Sequence, residues 1–429
     1  MDHGAILHFL NEPVNGWQKF SAGPFDVYEW PHDEPPGWQG AWLTGTAIPQ
    51  QCLRAFQAKL PATAIRRMNA ALETVRSEFG RHGMRLKKNW RIPIILWDPH
   101  FPLPDDWDAI DPEDAPITLY TCNADSPPVV ILMCHDRGRM RTPLADWLEA
   151  CTLHEGFHAL LCCWRKENDK AFKLLKSSIW AKFEEMCAVA MEARLLPDNS
   201  VWLDYMFGWR SSLPLSCADN DLTELALATG SSFELSVNQE TYGHFAFLAY
   251  LNDVVWPADV PWLRLAWKES LKKNIDTTPW SSFDTALVHS GGIAAAYARY
   301  AMETRFPGPF AVTLRSLNAK CGPPCAVGFN PGSKVRVFPL GPLSAQWFRL
   351  KELAKAGSKV LQITPYRGEK HLVVRVFHAD GSAIGQHTLQ TNKKPVSWTY
   401  SPSIKDDDVY VLIAMTSWQS AAAIRVEWR

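Results

Sequence analysis

Apolar residues recur every three to five positions in several long segments of the chain, the spacing that places them on one face of an α-helix. In residues 51–82 the apolar positions that follow this rule are Leu53, Phe56, Leu60, Ile65, Met68, Leu72 and Val75. Similar patterns predict further helices over residues 144–164, 171–196, 242–255 and 286–302.

Three short runs of strand character lie between the first predicted helix and the second. They are residues 91–97 (RIPIILW), 117–122 (ITLYTC) and 129–134 (VVILMC), with Pro and Asp clusters between them. Strands followed by helices give the order of an α+β domain, here with a small mixed sheet, and we assign this domain to residues 91–310.

The pattern changes in residues 333–429, where short alternating or apolar runs follow one another at close intervals. These runs are KVRVFPL, SAQWFRLK, KVLQITP, HLVVRVFH, VSWTY, VYVLIAM and AAIRVEW. Turn residues such as Asp380-Gly381 separate them, so the segment predicts a small all-β sandwich. Residues 1–90, whose first part is rich in Trp, Pro and Gly, are predicted to form an N-terminal extension or lobe.

Composition excludes some classes of function. The chain has 429 residues, of which 47% are hydrophobic and 21% charged, as expected of a folded protein with two or three domains. Lys and Arg number 44 and Asp and Glu 45, so no basic excess is present to bind nucleic acid.

No apolar run is long enough to span a membrane. The start, MDHGAILHFLNEP, lacks the features of a signal peptide, which favours the cytoplasm, although a secreted protein stays open. Oligomeric state does not follow from the sequence.

The ten cysteines divide into two kinds by context. Cys151, Cys162, Cys163 and Cys187 lie in apolar, helix-like segments and are predicted to be buried thiols. Cys321 and Cys325 flank Gly-Pro-Pro, where a disulfide and a free pair are both consistent with the sequence.

Residues 154–158 read His-Glu-Gly-Phe-His, an HExxH motif within the second predicted helix. Positions i and i+4 lie on one helix face, so the imidazoles of His154 and His158 can bind one ion. Imidazole suits zinc, and the intervening Glu155 is placed to take a proton from a zinc-bound water. The alternative is a pair of surface histidines on an ordinary helix.

A catalytic zinc site needs a third protein ligand, and the next predicted helix offers two. Glu184 and Glu185 lie about 26 residues after His158, a gap that fits a helix end, a turn and a returning helix. A carboxylate from such a neighbouring helix would complete a His₂Glu set. Spacing alone leaves both glutamates open.

These two motifs resemble those of the gluzincin metallopeptidases, which combine HExxH with a downstream glutamate. The resemblance aligns Glu185 as the ligand, with Trp180 upstream and Ala188 and Glu192 after it. Glu184 would then be a supporting or solvent-facing acid. The segment 242–251 (YGHFAFLAYL) is similar to a helix that closes the active site in some gluzincins. The resemblance therefore implies that Tyr242 or His244 stabilises an oxyanion.

The predicted function is a zinc metallopeptidase that hydrolyses peptide bonds in peptides or proteins. The same residues could serve a zinc hydrolase of a non-peptide amide or ester. A third hypothesis is a binding or toxin-like module in which the metal domain is degenerate and the sandwich does the binding. The intact Glu155 argues against that third hypothesis, because a purely structural zinc site needs no base.

Overall fold

The fold is described from a computed structural model. The structure describes residues 18–29, 62–97, 117–119, 127–133, 143–168, 178–199, 201, 245–255, 263–265, 267, 279–323, 326–329, 336–340, 343–351, 359–367, 372–389, 396–400, 408–417 and 422–428. The chain mixes helices with open sheets, as the predicted α+β class requires. Its elements cluster into two compact units, residues 1–176 with 191–203 and residues 177–190 with 204–429.

A five-stranded sheet organises the first unit. Its strands are β1 (Gln18–Ala22), β2 (Phe25–Glu29), β3 (Ile92–Trp97), β4 (Ile117–Leu119) and β5 (Val129–Met133), in the order β1-β2-β3-β5-β4. The pairs β2–β3 and β3–β5 are parallel, whereas β1–β2 and β4–β5 are antiparallel. Strands from the predicted N-terminal lobe and from the predicted peptidase domain therefore share one sheet.

The central strands are apolar because both faces of the sheet are covered. Ile92, Ile94, Val129, Val130 and Leu132 have no exposed surface. Continuous apolar runs of this kind are typical of strands buried on both sides. The three strands predicted here from sequence are confirmed, and β4 is the edge strand among them. Residues 120–122 and 134 of the predicted runs lie outside the described residues.

Two long helices lie beside this sheet, α1 (Ala62–Arg81) and α2 (Leu144–Asn168). They pack closely at Gly156, where an added Cβ would lie 3.3 Å from Leu72 and 3.4 Å from Val75. The guanidinium of Arg67 on α1 donates to the carboxylates of Asp146 and Glu149 at the start of α2. Helix α2, which carries the HExxH motif, is thus held against α1 by apolar contact and by ion pairs.

Helix α3 (Ser178–Leu195) follows, and the sequence also predicted this helix. Two contacts hold its C-terminal end. Arg194 Nη1 lies 2.9 Å from the Glu78 carboxylate on α1, and the Asn199 side chain donates to the backbone carbonyl of Asp146 at 2.8 Å. The end of α3 therefore has a fixed position relative to α1 and α2.

Four shorter helices belong to the second unit: α4 (Phe245–Tyr250), α5 (Pro279–Ala286), α6 (Gly292–Glu303) and α7 (Val312–Cys321). A π-helical turn, Leu251–Val255, continues α4. The prediction of one helix over 286–302 was wrong at its start, because Gly291 and Gly292 have positive φ of 87° and 76°. The left-handed Gly291 ends a short 3₁₀ helix, Val288–Ser290, and α6 begins at Gly292.

The C-terminal segment forms two sheets. One contains β6 (Ala326–Phe329), β8 (Ser344–Lys351), β10 (Leu372–His378), β11 (Ala383–Leu389) and β13 (Asp408–Met415), and the other contains β7 (Arg336–Leu340), β9 (Lys359–Arg367), β12 (Val396–Tyr400) and β14 (Ala422–Trp428). Buried residues of both sheets, such as Phe348, Val374, Leu361 and Ile424, form one core. This is the arrangement of a β-sandwich, and all seven predicted runs are strands in it.

The predicted buried thiols are confirmed, since Cys151, Cys162, Cys163 and Cys187 are buried and carry reduced thiols. Cys325 lies outside the described residues, so its pairing with Cys321 stays open. Within the part of the chain that the structure describes, no helix combines the length and apolar character needed to cross a bilayer.

Candidate metal centre

The two histidines of HExxH lie on one face of α2, as their spacing predicts. Their ring centroids are 4.8 Å apart. Both side chains are buried, with 7% of His154 and 3% of His158 exposed. Two imidazoles this close and this buried present nitrogen donors to a common point.

Glu185 on α3 joins this pair. One ligand atom from each of His154, His158 and Glu185 lies within 4.8 Å of the other two, so the predicted third ligand meets the predicted pair. Glu184, the alternative ligand, does not belong to any such group among the described residues. Its side chain is nevertheless buried, with 6% exposed, so of the two predicted positions for Glu184 the solvent-facing one is excluded and that of a supporting acid is left.

Glu192 contacts the first histidine directly. One of its carboxylate oxygens lies 2.5 Å from Nδ1 of His154, and only 1% of the residue is exposed. An ionised carboxylate can only accept, so Nδ1 carries the proton and donates it, which leaves Nε2 of the neutral ring as the electron-pair donor. Ligand histidines in metalloproteins are commonly oriented in this way.

Glu185 and Glu192 both lie on α3. This one helix therefore carries the candidate third ligand and the residue that contacts His154. Residues seven apart lie on nearly the same face, about 10 Å apart along the axis. Because α3 is continuous, the contact between Glu192 and His154 fixes the side of the helix on which Glu185 lies. The seven-residue interval between Glu185 and Glu192 can be read in the sequence, but no role for Glu192 was predicted from it.

The donor set fits a zinc ion. Two imidazole nitrogens and one carboxylate oxygen are ligands that zinc accepts, and three protein ligands are the number found in catalytic zinc sites. One of the imidazoles is held in a single tautomer by Glu192. The residues present therefore fit the metal that the HExxH motif implies.

Glu155 lies directly after the first histidine and is 5% exposed. The surrounding positions are apolar, as the sequence predicted: Leu153, Phe157, Leu160 and Leu161 are each at most 1% exposed. Phe157 also forms an edge contact with the His158 ring, with centroids 5.9 Å apart. Such an environment excludes bulk water from the carboxylate and the histidines.

A second polar cluster supports α3 from the side of α1. The Glu78 carboxylate accepts hydrogen bonds from Arg81 at 2.6 and 2.9 Å and pairs with Arg194. Burial by itself would raise the pKa of Glu78, but hydrogen bonds from His82 and Arg81 and the Arg194 charge lower this pKa to about 2. The charged carboxylate of Glu78 thus binds Arg194, which follows Glu192 by two positions on α3.

The two predicted oxyanion donors, Tyr242 and His244, lie outside the described residues. Their assignment stays a prediction. The helix that follows them is present from Phe245 onward and is buried throughout its six residues.

No model of a protein family matches the chain, and no curated protein matches it. Among solved structures, the chain is similar to the pre-peptidase C-terminal domain of a collagenase from Bacillus anthracis. That match has 10% sequence identity and a TM-score of 0.21, and it covers 25% of this chain and 97% of the collagenase domain.

Proposed function

We propose that this protein is a zinc metallopeptidase, in which His154, His158 and Glu185 bind the metal and Glu155 is the catalytic base. One observation carries the proposal. Ligand atoms of these three residues, which come from two different helices, lie within 4.8 Å of one another. The HExxH motif alone occurs by chance in some chains. The approach of Glu185 from a second helix does not follow from that motif, so it is independent support for the proposal.

A zinc ion in this site would supply Lewis acidity, which lowers the pKa of water and polarises a carbonyl group. The protein's own residues supply the rest. Glu192 keeps the proton of His154 on Nδ1. The Glu155 carboxylate accepts the proton of the attacking water and then donates it to the leaving nitrogen, as a general base and then a general acid.

The position of Glu155 suits this role. It is buried beside the histidines, so a proton that it accepts is not exchanged quickly with solvent. Its neighbours on α2 are apolar and fixed by packing against α1, which keeps the carboxylate in place. Tyr242 and His244 are the candidates for the donor that stabilises the oxyanion.

The first unit also offers an edge to an extended peptide. Among the described strands, β4 ends the five-stranded sheet and pairs with β5 alone. Helix α2 packs against both of these strands. Sheet edges bind extended peptides by adding a strand, which favours a peptide over a small metabolite as substrate.

Metal content of purified protein tests the zinc site. We expect about one zinc per wild-type chain after passage over a chelating resin. Glu185→Ala should lose the metal, whereas Glu184→Ala should keep it, and both variants remove a carboxylate from adjacent positions of α3. If wild type neither holds zinc nor can be reloaded with it, the proposal is wrong.

Catalysis is tested separately with a peptide library whose products are identified by mass spectrometry. Glu155→Gln should keep the zinc and lose at least about 100-fold in rate, because it removes the base and leaves the ligands. Zinc retention with equal cleavage by wild type and Glu155→Gln would contradict the role of Glu155. Zinc retention with cleavage of simple esters or acyl amides but no peptide would favour the non-peptide hydrolase instead.

A further inference from the structure

A cavity of about 770 Å³ lies between α1, the β1–β2 turn and the segment that connects α1 to β3. Its volume is within the range of small-molecule sites. All of its described lining residues belong to the first unit. Leu160 of α2 lines it, and this residue follows His158 by two positions, about 200° around the helix. The cavity therefore lies on the side of α2 that faces away from the candidate metal centre.

The base of the cavity is apolar and largely aromatic. Phe79, Met84, Trp90 and Leu160 line it, and each is at most 4% exposed. Gly80 also lines the cavity, and a Cβ added there would meet no atom within 4 Å. The space beside Gly80 is therefore open above an apolar base whose own rings are almost fully covered by the protein.

The rim is positively charged. Arg76, Arg85 and Lys88 lie on it, and among the described lining residues the one acid is Glu73, which is 2.9 Å from Arg76. The Lys88 ammonium lies 5.1 Å from the centre of the Trp90 ring. Charge of this sign around an apolar base favours an anion over a neutral or cationic ligand.

The segment that forms this rim is held in place by one carboxylate. Glu167 at the end of α2 accepts hydrogen bonds from the backbone N–H groups of Lys87 and Lys88 and from Nε1 of Trp90, each at 2.7 Å. Three hydrogen bonds to one charged group fix both the cationic rim and the aromatic base. The cavity is therefore formed before any ligand binds, which lowers the entropic cost of binding.

We infer that this cavity binds a small aromatic anion, with its ring in the open space beside Gly80 and its anionic group near Arg85 and Lys88. Arginine suits both parts of such a ligand, since its guanidinium pairs with carboxylate, sulfonate or phosphate and also stacks on rings. Nothing in this assignment depends on the zinc site or on peptidase activity.

The test uses the fluorescent anion 8-anilinonaphthalene-1-sulfonate and its uncharged counterpart, N-phenyl-1-naphthylamine, with the full-length protein. Wild type should bind the anion at one saturable site. Gly80→Phe should abolish this site by filling the cavity, whereas the matched control Gly80→Ala should keep it. Equal melting temperatures of the three proteins would show that the fold is unchanged.

The charge requirement is tested with the double variant Arg85→Gln/Lys88→Gln. Its affinity for the anion should fall about tenfold or more, while binding of the uncharged probe should be weak in wild type and unchanged in the variant. If Gly80→Phe binds the anion as wild type does, the cavity is not the site and the inference is wrong. Equal affinity of wild type for both probes would also overturn it, because an anion site must discriminate between them.

Discussion

A carboxylate oxygen of Glu192 lies 2.5 Å from Nδ1 of His154, and both residues are buried. This contact joins α3 to the HExxH helix through the ring of a predicted metal ligand. It fixes the tautomer of His154 and, through the continuous helix, the side on which Glu185 lies. Glu192 therefore positions two of the three proposed ligands without binding the metal itself.

Glu192→Gln should weaken zinc binding by about 10- to 100-fold, the usual effect of losing a residue that orients a ligand histidine. A glutamine still accepts from Nδ1–H but carries no charge to raise the basicity of the ring. The measurement is competition with a chromophoric zinc chelator at neutral pH. Glu303→Gln, at another buried carboxylate, is the control and should keep wild-type affinity. Unchanged affinity in Glu192→Gln would refute the role of this contact.

The helices around the site could be predicted because helical periodicity is local. The spacing of His154, His158 and Glu185 places all three on helices that the structure confirms. The role of Glu192 could not be assigned, because it depends on how α3 meets α2. Such packing is decided by distant residues, here by Arg194 with Glu78 and by Asn199 with the backbone of Asp146.

Strands were missed where the local pattern is weak. β1 and β2 are five residues each and surround the Gly23 turn, and β11 (AIGQHTL) mixes polar residues and glycine with apolar ones. These segments become strands because neighbouring strands offer hydrogen bonds to them, which a single segment does not reveal. The helix break at Gly291 was missed for a similar reason, since Asp284 from the previous helix caps the backbone N–H of Ile293 at 2.9 Å.

Gly156→Val should destabilise the protein by about 1 to 3 kcal/mol, because α1 and α2 are in contact at this position. A Cβ added there would already lie 3.3 Å from Leu72, and the two methyl groups of valine would push the helices apart. Urea unfolding measures the change. Gly80→Ala is the matched control on α1, where a Cβ meets no atom within 4 Å, and it should be neutral or slightly stabilising. Equal stability of Gly156→Val and wild type would show that the two helices can separate at no cost.

Removing Glu78 should have an effect that depends on pH. The pKa of this carboxyl falls from 4.5 to about 2 in the folded protein, despite burial, through His82, Arg81 and Arg194. A lowered pKa stabilises the fold at pH values above 4.5, and this contribution is lost as pH falls toward 2. The difference in free energy of unfolding between wild type and Glu78→Gln should be on the order of 2 kcal/mol at pH 6 and shrink in acid. A difference that stays constant from pH 6 to pH 3 would contradict this role of the charge.

The carboxylate of Glu167 accepts from the backbone N–H groups of Lys87 and Lys88 and from the Trp90 indole. Glu167→Gln leaves a single acceptor oxygen for three donors and removes the charge that strengthens these bonds. Amide hydrogen exchange at Lys87 and Lys88 should therefore become about tenfold faster or more, because the segment opens locally at lower cost. Glu73→Gln is the control, since Glu73 pairs with Arg76 at an exposed position of α1 and should leave exchange at both amides unchanged. Exchange as slow in Glu167→Gln as in wild type would show that packing of Trp90, rather than the carboxylate, holds this segment against α2.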